Sequence, residues 1–250
     1  EMMSGSMIHP GYCAADAIQI GAARLQQQLP RVTPLALCKF VHDNSWHNYW
    51  EGGVRHDPHL RAKSLRLFAA NGSYKKVLQE TGDDINTTDP NQLWGMLIEG
   101  SLSKSRRRYM ECGHRAIAVT ALANRLNISS QHVTLYSRDR VTHHLVELVG
   151  DYGPELHDPD YGFCIRQDGK TMAARDIVRA RRPAEYFAYS GNKQDHDFID
   201  RLFDLGFFTA ASVRCRGVDV LYVADRDADF IKWWRSNQAD PSAHQTVVHE

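Results

Sequence analysis

The sequence carries no excess of either charge: 30 lysines and arginines face 30 aspartates and glutamates over 250 residues. Such a chain has no electrostatic footprint for a polyanion, so neither nucleic acid nor an anionic membrane is an expected partner. No apolar run approaches the roughly 20 residues a bilayer span needs. No basic stretch leads into an apolar segment at the start, so no secretory signal is expected, and Glu1 to Met7 read as a poorly structured start or a cloning scar. No Cys-x-x-Cys pair occurs. The five cysteines, Cys13, Cys38, Cys112, Cys164 and Cys215, are odd in number and widely spaced, which argues against a disulfide framework or a thiolate zinc site. A reducing, cytoplasmic compartment fits that usage. There is no internal repeat, no low-complexity tract and no convincing linker. What is present is 42% hydrophobic residues, enough for a core, which excludes disorder as the main description.

Periodicity predicts helices over residues 11–29 and from Pro34, where Thr33 has the character of an N-cap. Further helices are expected at about 58–68, 75–79 and 91–99, with a turn at Asn71-Gly72. The middle is the most patterned part. Ala116, Val119, Leu122 and Leu126 recur at helical spacing, giving a helix over about 112–126. Residues 131–137 alternate as a half-buried strand, 142–149 form a second strand and 155–158 a third. After the meander, helices are expected over 172–179, 195–205 and 228–235, a strand over 219–224, and a frayed polar tail after Asn237. The expected fold is one α+β domain over residues 1–250: a helix packed on an antiparallel sheet, with further helices at both ends.

Cys112 opens the predicted central helix. A helix N-terminus presents unpaired N–H groups and partial positive charge, which favour thiolate and can stabilise an oxyanion. Gly113 lets a substrate approach the backbone closely. The plain alternative is a buried structural cysteine, the commoner fate of a free thiol. His143 and His144 are adjacent on a strand and face opposite ways, so one at most addresses a given site. Asp158 ends the following strand before Pro159, which is also how an ordinary turn begins. In order, these residues have the makings of a nucleophile, base and orienting carboxylate.

Cys112-Gly113-His114-Arg115-Ala116 leading into an apolar helix, Asn127-Ile128 beyond it, the His143-His144-Leu145-Val146-Glu147 strand, and Asp158-Pro159 with Gly162 together resemble the transglutaminase-like superfamily of papain-type cysteine enzymes. The resemblance covers about residues 31–165. Aligning on Glu147 selects His143 rather than His144. Met110-Glu111 replaces the frequent Gly-x before the cysteine, and Gly113 stands where an aromatic residue is common. The resemblance implies a papain-like fold, no cofactor, and a triad of Cys112, His143 and Asp158. It implies acyl transfer through a thioester on a peptide, protein or small-molecule amide or thioester. It also implies a side-chain donor completing the oxyanion hole, for which Trp46, Trp50 and Trp94 are all candidates. Trp46, Trp94, Gly113 and Arg108 are the expected substrate-binding residues.

Other features point elsewhere. His42, Asp43, His47, His56, Asp57 and His59 form a dense stretch of metal-ligand chemistry, but at no recognisable spacing; a cleft loop or plain surface is the simpler reading, and no metal is expected. Arg106 to Arg108 and Arg179, Arg181 and Arg182 are solvated faces or a pocket for an anionic substrate group. Two other readings stand beside the cysteine enzyme: a binding module that keeps the fold without turnover, and a metal-dependent hydrolase using residues 42–59.

Overall fold

The computed structural model describes residues 17–47, 50–51, 54–55, 87–181, 185–191, 199–200, 202, 206–215, 218–237 and 244–250. Its helices are α1 (Ala17–Gln28), α2 (Pro34–Asp43), α3 (Pro90–Leu102), α4 (Cys112–Arg125), α5 (Ala174–Ala180) and α6 (Ala228–Ser236). Short strands β1 (Trp46–His47), β2 (Trp50–Glu51), β3 (Val54–Arg55) and β4 (Tyr109–Met110) lie before α4. The main sheet is built from β5 (Ser130–Tyr136), β6 (Thr142–Gly150), β7 (Gly153–Asp158), β8 (Phe163–Gln167), β9 (Lys170–Thr171), β10 (Glu185–Ala188), β11 (Ala210–Cys215), β12 (Val218–Val223) and β13 (His244–His249). The helices predicted at 58–68 and 75–79 and the Asn71-Gly72 turn lie outside the described residues, as does most of 195–205.

Local chemistry explains the helix starts. Thr33 Oγ1 accepts the Ala36 N–H at 3.2 Å ahead of Pro34, and Asp89 Oδ1 accepts the Asn91 N–H at 2.9 Å ahead of Pro90. Both follow the rule that a small oxygen-bearing N-cap satisfies an orphan donor while proline takes the first helical position. Helices α1 to α4 bury one shared core with Val146 and Leu148 of β6. Trp94 sits at its centre, fully buried, with its indole N–H donated to the Ala118 carbonyl at 2.7 Å and its ring stacked on Phe40.

The fold is mixed α/β with a mostly antiparallel sheet, in the order β10-β8-β7-β6-β5-β11-β12-β13, with β9 on β8. The expected meander is present as β5-β6-β7, and the chain later returns to lay β11 beside β5. Within the tail expected to fray, residues 244–249 form β13, which pairs in parallel with β12 from Val218↔His244 to Val223↔His249. An edge strand buries one face weakly, so a sequence as polar as His-Gln-Thr-Val-Val-His suffices, and its alternation is too faint to read alone.

Register decides which histidine faces which side. Leu145 packs with Val133, Leu135 and Ile165 on one face, beneath α5. Val146 and Leu148 pack under α4 on the other. A slip of one residue would swap the two faces, sending Leu145 under α4 and Val146 and Leu148 beneath α5 and turning His143 away from Asp158, so packing on both sides fixes the strand. His143 therefore shares the Leu145 face and His144 the Val146 face.

Two glycines of α3 give a paired test. A Cβ at Gly95 would meet nothing within 4 Å, whereas one at Gly100 would stand 2.2 Å from the Asn44 carbonyl oxygen. In chemical denaturation, Gly95→Ala should raise stability by about 0.5–1 kcal/mol through helix propensity, and Gly100→Ala should lower it. Equal effects would mean that α3 does not pack against the end of α2 in this way.

Candidate active site

Cys112 is the first residue of α4. Its N-cap, Glu111, is extended, and the Glu111 N–H is accepted by His114 Nδ1 at 3.3 Å, one half of a capping box. The first N–H groups of the helix, those of Cys112 and Gly113, have no acceptor within it. Immediately before them β4 pairs in parallel with β1, Trp46 opposite Tyr109, and the Met110 side chain is buried. The start of α4 is thus held from both sides, with the Cys112 side chain half-buried.

His143 lies near the start of β6. Strand β5 pairs along this stretch to Tyr136↔Thr142, but β7 pairing stops at Val146↔His157. The edge beyond is left to the turn that follows β7. There Asp158, fully buried, accepts a 2.6 Å hydrogen bond on Oδ2 from His143 Nε2–H. Its Oδ1 accepts the N–H groups of Asp160 at 2.8 Å and Tyr161 at 3.0 Å, the self-bracing habit of an aspartate in a turn. Its carbonyl accepts the Tyr189 hydroxyl at 2.7 Å. The turn closes at Gly162, whose φ of 72° favours glycine and where a Cβ would stand 2.8 Å from Ser190 Cβ. Tyr161 and Phe207 rings lie against the imidazole, at 5.1 and 6.2 Å between centroids.

With Nε2 committed to Asp158, Nδ1 is the ring nitrogen left for a thiol. Cys112 Sγ, a His143 ring nitrogen and an Asp160 carboxylate oxygen all lie within 4.8 Å of one another. Burial works against a charged imidazole. The Asp158 carboxylate and its hydrogen bond, with a smaller contribution from Cys112, outweigh it and hold the His143 pKa well above 6.5.

Sequence reading missed the pair beneath this site. Arg115 and Asp160 are both buried, and Arg115 Nε stands 3.5 Å from Asp160 Oδ1, close enough for an ion pair though not aligned as a hydrogen bond. Arg115 Nη1 donates to the carbonyls of Pro159 at 3.1 Å and Asp160 at 2.6 Å. The nucleophile helix is thereby tied to the turn carrying Asp158. His42 Nδ1 lies 3.3 Å from the same guanidinium nitrogen and 3.1 Å from the Asp160 carbonyl. Burial, then the neighbouring Arg115, lowers its pKa to about 4. The available signal was spacing: Arg115 is three residues after Cys112, on the same helical face.

Other expected residues fall elsewhere. Trp94 is not a substrate residue: it is sealed in the helical core with its indole N–H already donated to Ala118. The Trp46 and Trp50 side chains lie outside the described residues. Arg108 is exposed, and Gly113 lies beside His144, whose Cδ2 would be 3.7 Å from an added Cβ. His144 turns away from Asp158 and meets His132 Nε2 at 3.0 Å. Glu147 accepts the Ala174 N–H at 2.7 Å, so it braces the start of α5. In the second arginine cluster, Arg179 pairs with Glu250 and Arg181 with Asp225. In the histidine-rich stretch, Asp43 pairs with Lys39, the His47 side chain and residues 56–59 lie outside the described residues, and His42 serves the turn.

Among the described residues, only Cys112, His143 and Asp160 bring three metal-ligand atoms together. The Arg115 guanidinium beside Asp160 opposes a cation there. Cys38 and Cys164 are buried and unbridged, and the Cys13 and Cys215 side chains lie outside the described residues, leaving Cys112 the accessible thiol among those described. Among the described residues no helix is long and apolar enough to cross a membrane. No protein-family model, no curated protein and no solved structure matches the chain.

Removing one partner of a buried ion pair strands the other charge, at about 3–5 kcal/mol. Arg115→Met should cost about that much in denaturant unfolding, and adding Asp160→Asn should recover part of the loss. A double variant no more stable than the single would show that Arg115 does not balance Asp160.

Proposed function

We propose that the protein is a transglutaminase-like cysteine enzyme that transfers acyl groups through a thioester on Cys112. One observation carries the reading: a buried imidazole, bonded to a buried carboxylate through one nitrogen, lies within 4.8 Å of a helix-start thiol. That arrangement supplies a nucleophile, a proton carrier and an orienting group in reach of one another.

In this reading His143 carries the Cys112 proton as imidazolium. The thiolate attacks the carbonyl carbon of an amide or thioester, and the carbonyl electron pair moves to oxygen. The first N–H groups of α4 receive that oxyanion. On collapse, the carbon–nitrogen or carbon–sulfur bond breaks and His143 gives its proton to the leaving group. Water or an amine then attacks the thioester, with neutral His143 taking the proton and Cys112 leaving. Asp158 keeps Nε2–H fixed, so that Nδ1 does the transfer. Hydrolysis and transamidation share this intermediate and differ in the nucleophile admitted second.

The sign of the pH dependence follows. The His143 pKa is raised above 6.5, so its protonated form is present below that raised value and is lost as pH rises through it. Iodoacetamide labelling with peptide mapping should modify Cys112 ahead of the buried Cys38 and Cys164, at pH below the free-thiol value of about 8.5. His143→Ala should slow Cys112 labelling there by about tenfold or more. Labelling of Cys112 no faster than of Cys38 and Cys164 would defeat the reading and favour a binding module.

A further inference from the structure

On the face of the sheet that carries α4, a cavity of about 260 Å³ runs from His144, beside the first turn of that helix, to Trp233 and Trp234 of α6. Farther along β6 the same face is apolar, with Val146 and Leu148 packed under α4. Where the helix stops covering it, the face becomes polar: His132 and Thr134 of β5, His144 of β6, and Ser212 of β11. Empty voids in proteins are apolar, and a polar one of this size holds water or a ligand. It exceeds the roughly 150 Å³ that admits benzene in an engineered cavity.

Its chemistry narrows the occupant. Arg214 and Asp219 cancel one another in a two-point contact, Nε to Oδ1 at 2.8 Å and Nη2 to Oδ2 at 3.0 Å. His132 and His144 are neutral near pH 7. Burial lowers both to about 4, helped by Arg214 at His132 and by His132 and His143 at His144. A charged ligand would lose its hydration here without a counter-charge, so an uncharged one is favoured. Tyr136 and Trp233 supply aromatic walls, set edge to face at 6.0 Å. The floor supplies hydrogen-bonding groups: Tyr136 Oη and Ser212 Oγ at 2.8 Å, and His144 Nδ1 with His132 Nε2 and Thr134 Oγ1 at 3.0 and 3.2 Å. Among the described residues nothing takes up the other His144 nitrogen, on the ring edge nearest Gly113.

We propose that this cavity receives the side group of the acyl substrate, and that the group is an uncharged aromatic ring with a hydrogen-bonding substituent, a phenol in the simplest case. The proposal rests on Cys112 being the nucleophile, and it makes His144 the wall shared by the cavity and the reacting centre.

Three chloroacetamides test it on the intact protein: the parent compound, its phenethyl derivative and its tyramine derivative, with Cys112 alkylation followed by peptide mapping. The tyramine derivative should react about tenfold faster than the parent, with the phenethyl derivative between them. That ratio should fall toward one in Ser212→Leu, which fills the cavity, and decrease in Thr134→Val, which keeps its volume. Equal rates for all three reagents at a Cys112 that the parent labels selectively would overturn the cavity proposal and leave the catalytic reading intact. No selective labelling by the parent would overturn the catalytic reading. The cavity is then judged by titrating N-acetyltyramine against tryptophan fluorescence: a saturable change larger than that with N-acetylphenethylamine supports a phenol site, and no such difference overturns it.

Discussion

A hydrogen bond of 2.6 Å from His143 to Asp158 joins the start of β6 to the turn after β7, and both the shape and the charge of the site follow from it. The bond sits in a cluster of buried ionisable groups. Burial alone would strip the ring of its proton; the Asp158 carboxylate and the hydrogen bond it accepts, with a smaller contribution from Cys112, outweigh that and hold the His143 pKa well above 6.5. The neighbouring Asp160 is paired with the buried Arg115.

The scaffold turns that local balance into geometry. Hydrophobic register fixes β6, so His143 and His144 cannot exchange faces. Pro159, Gly162 and the backbone N–H groups accepted by Asp158 fix the turn. Arg115 joins that turn to α4 through two carbonyls, three residues along the helix from Cys112. Three sequence-distant pieces are therefore mutually constrained through buried contacts. Under the proposed acyl-transfer reading, a site held this way would need little reorganisation as charge develops, the condition under which fixed dipoles and charges are most effective.

Much of this was legible in the sequence, and the reasons differ by region. The central helix and the first three strands of the meander stand out because apolar residues repeat at 3.6 and then at 2, a direct result of burying one face. Cys112, His143 and Asp158 could be singled out by their order along that framework, and the fold brings Cys112 near His143 and His143 against Asp158. Arg115 and Asp160 were not, because a buried ion pair between residues 45 apart leaves no local pattern. Trp94 was assigned to substrate because a tryptophan upstream of a nucleophile invites it, while Gly21, whose missing side chain makes room for the indole, gives no sign of its partner. β8 and β11 went unread because strands buried inside a sheet lack the alternation of half-exposed ones, and β10, at the sheet edge, is only four residues long. β13 was hidden by its polarity.

The protonation of His143 is the point at which the account is most directly open to measurement. The imidazole ¹³Cε1 and ¹⁵N resonances of His143 can be followed by NMR against pH in the wild type and in Asp158→Asn. The account predicts a ring still protonated at neutral pH in the wild type and a pKa that falls markedly in the variant. A wild-type ring that titrates near 6.5, or one unaffected by loss of the carboxylate, would contradict it.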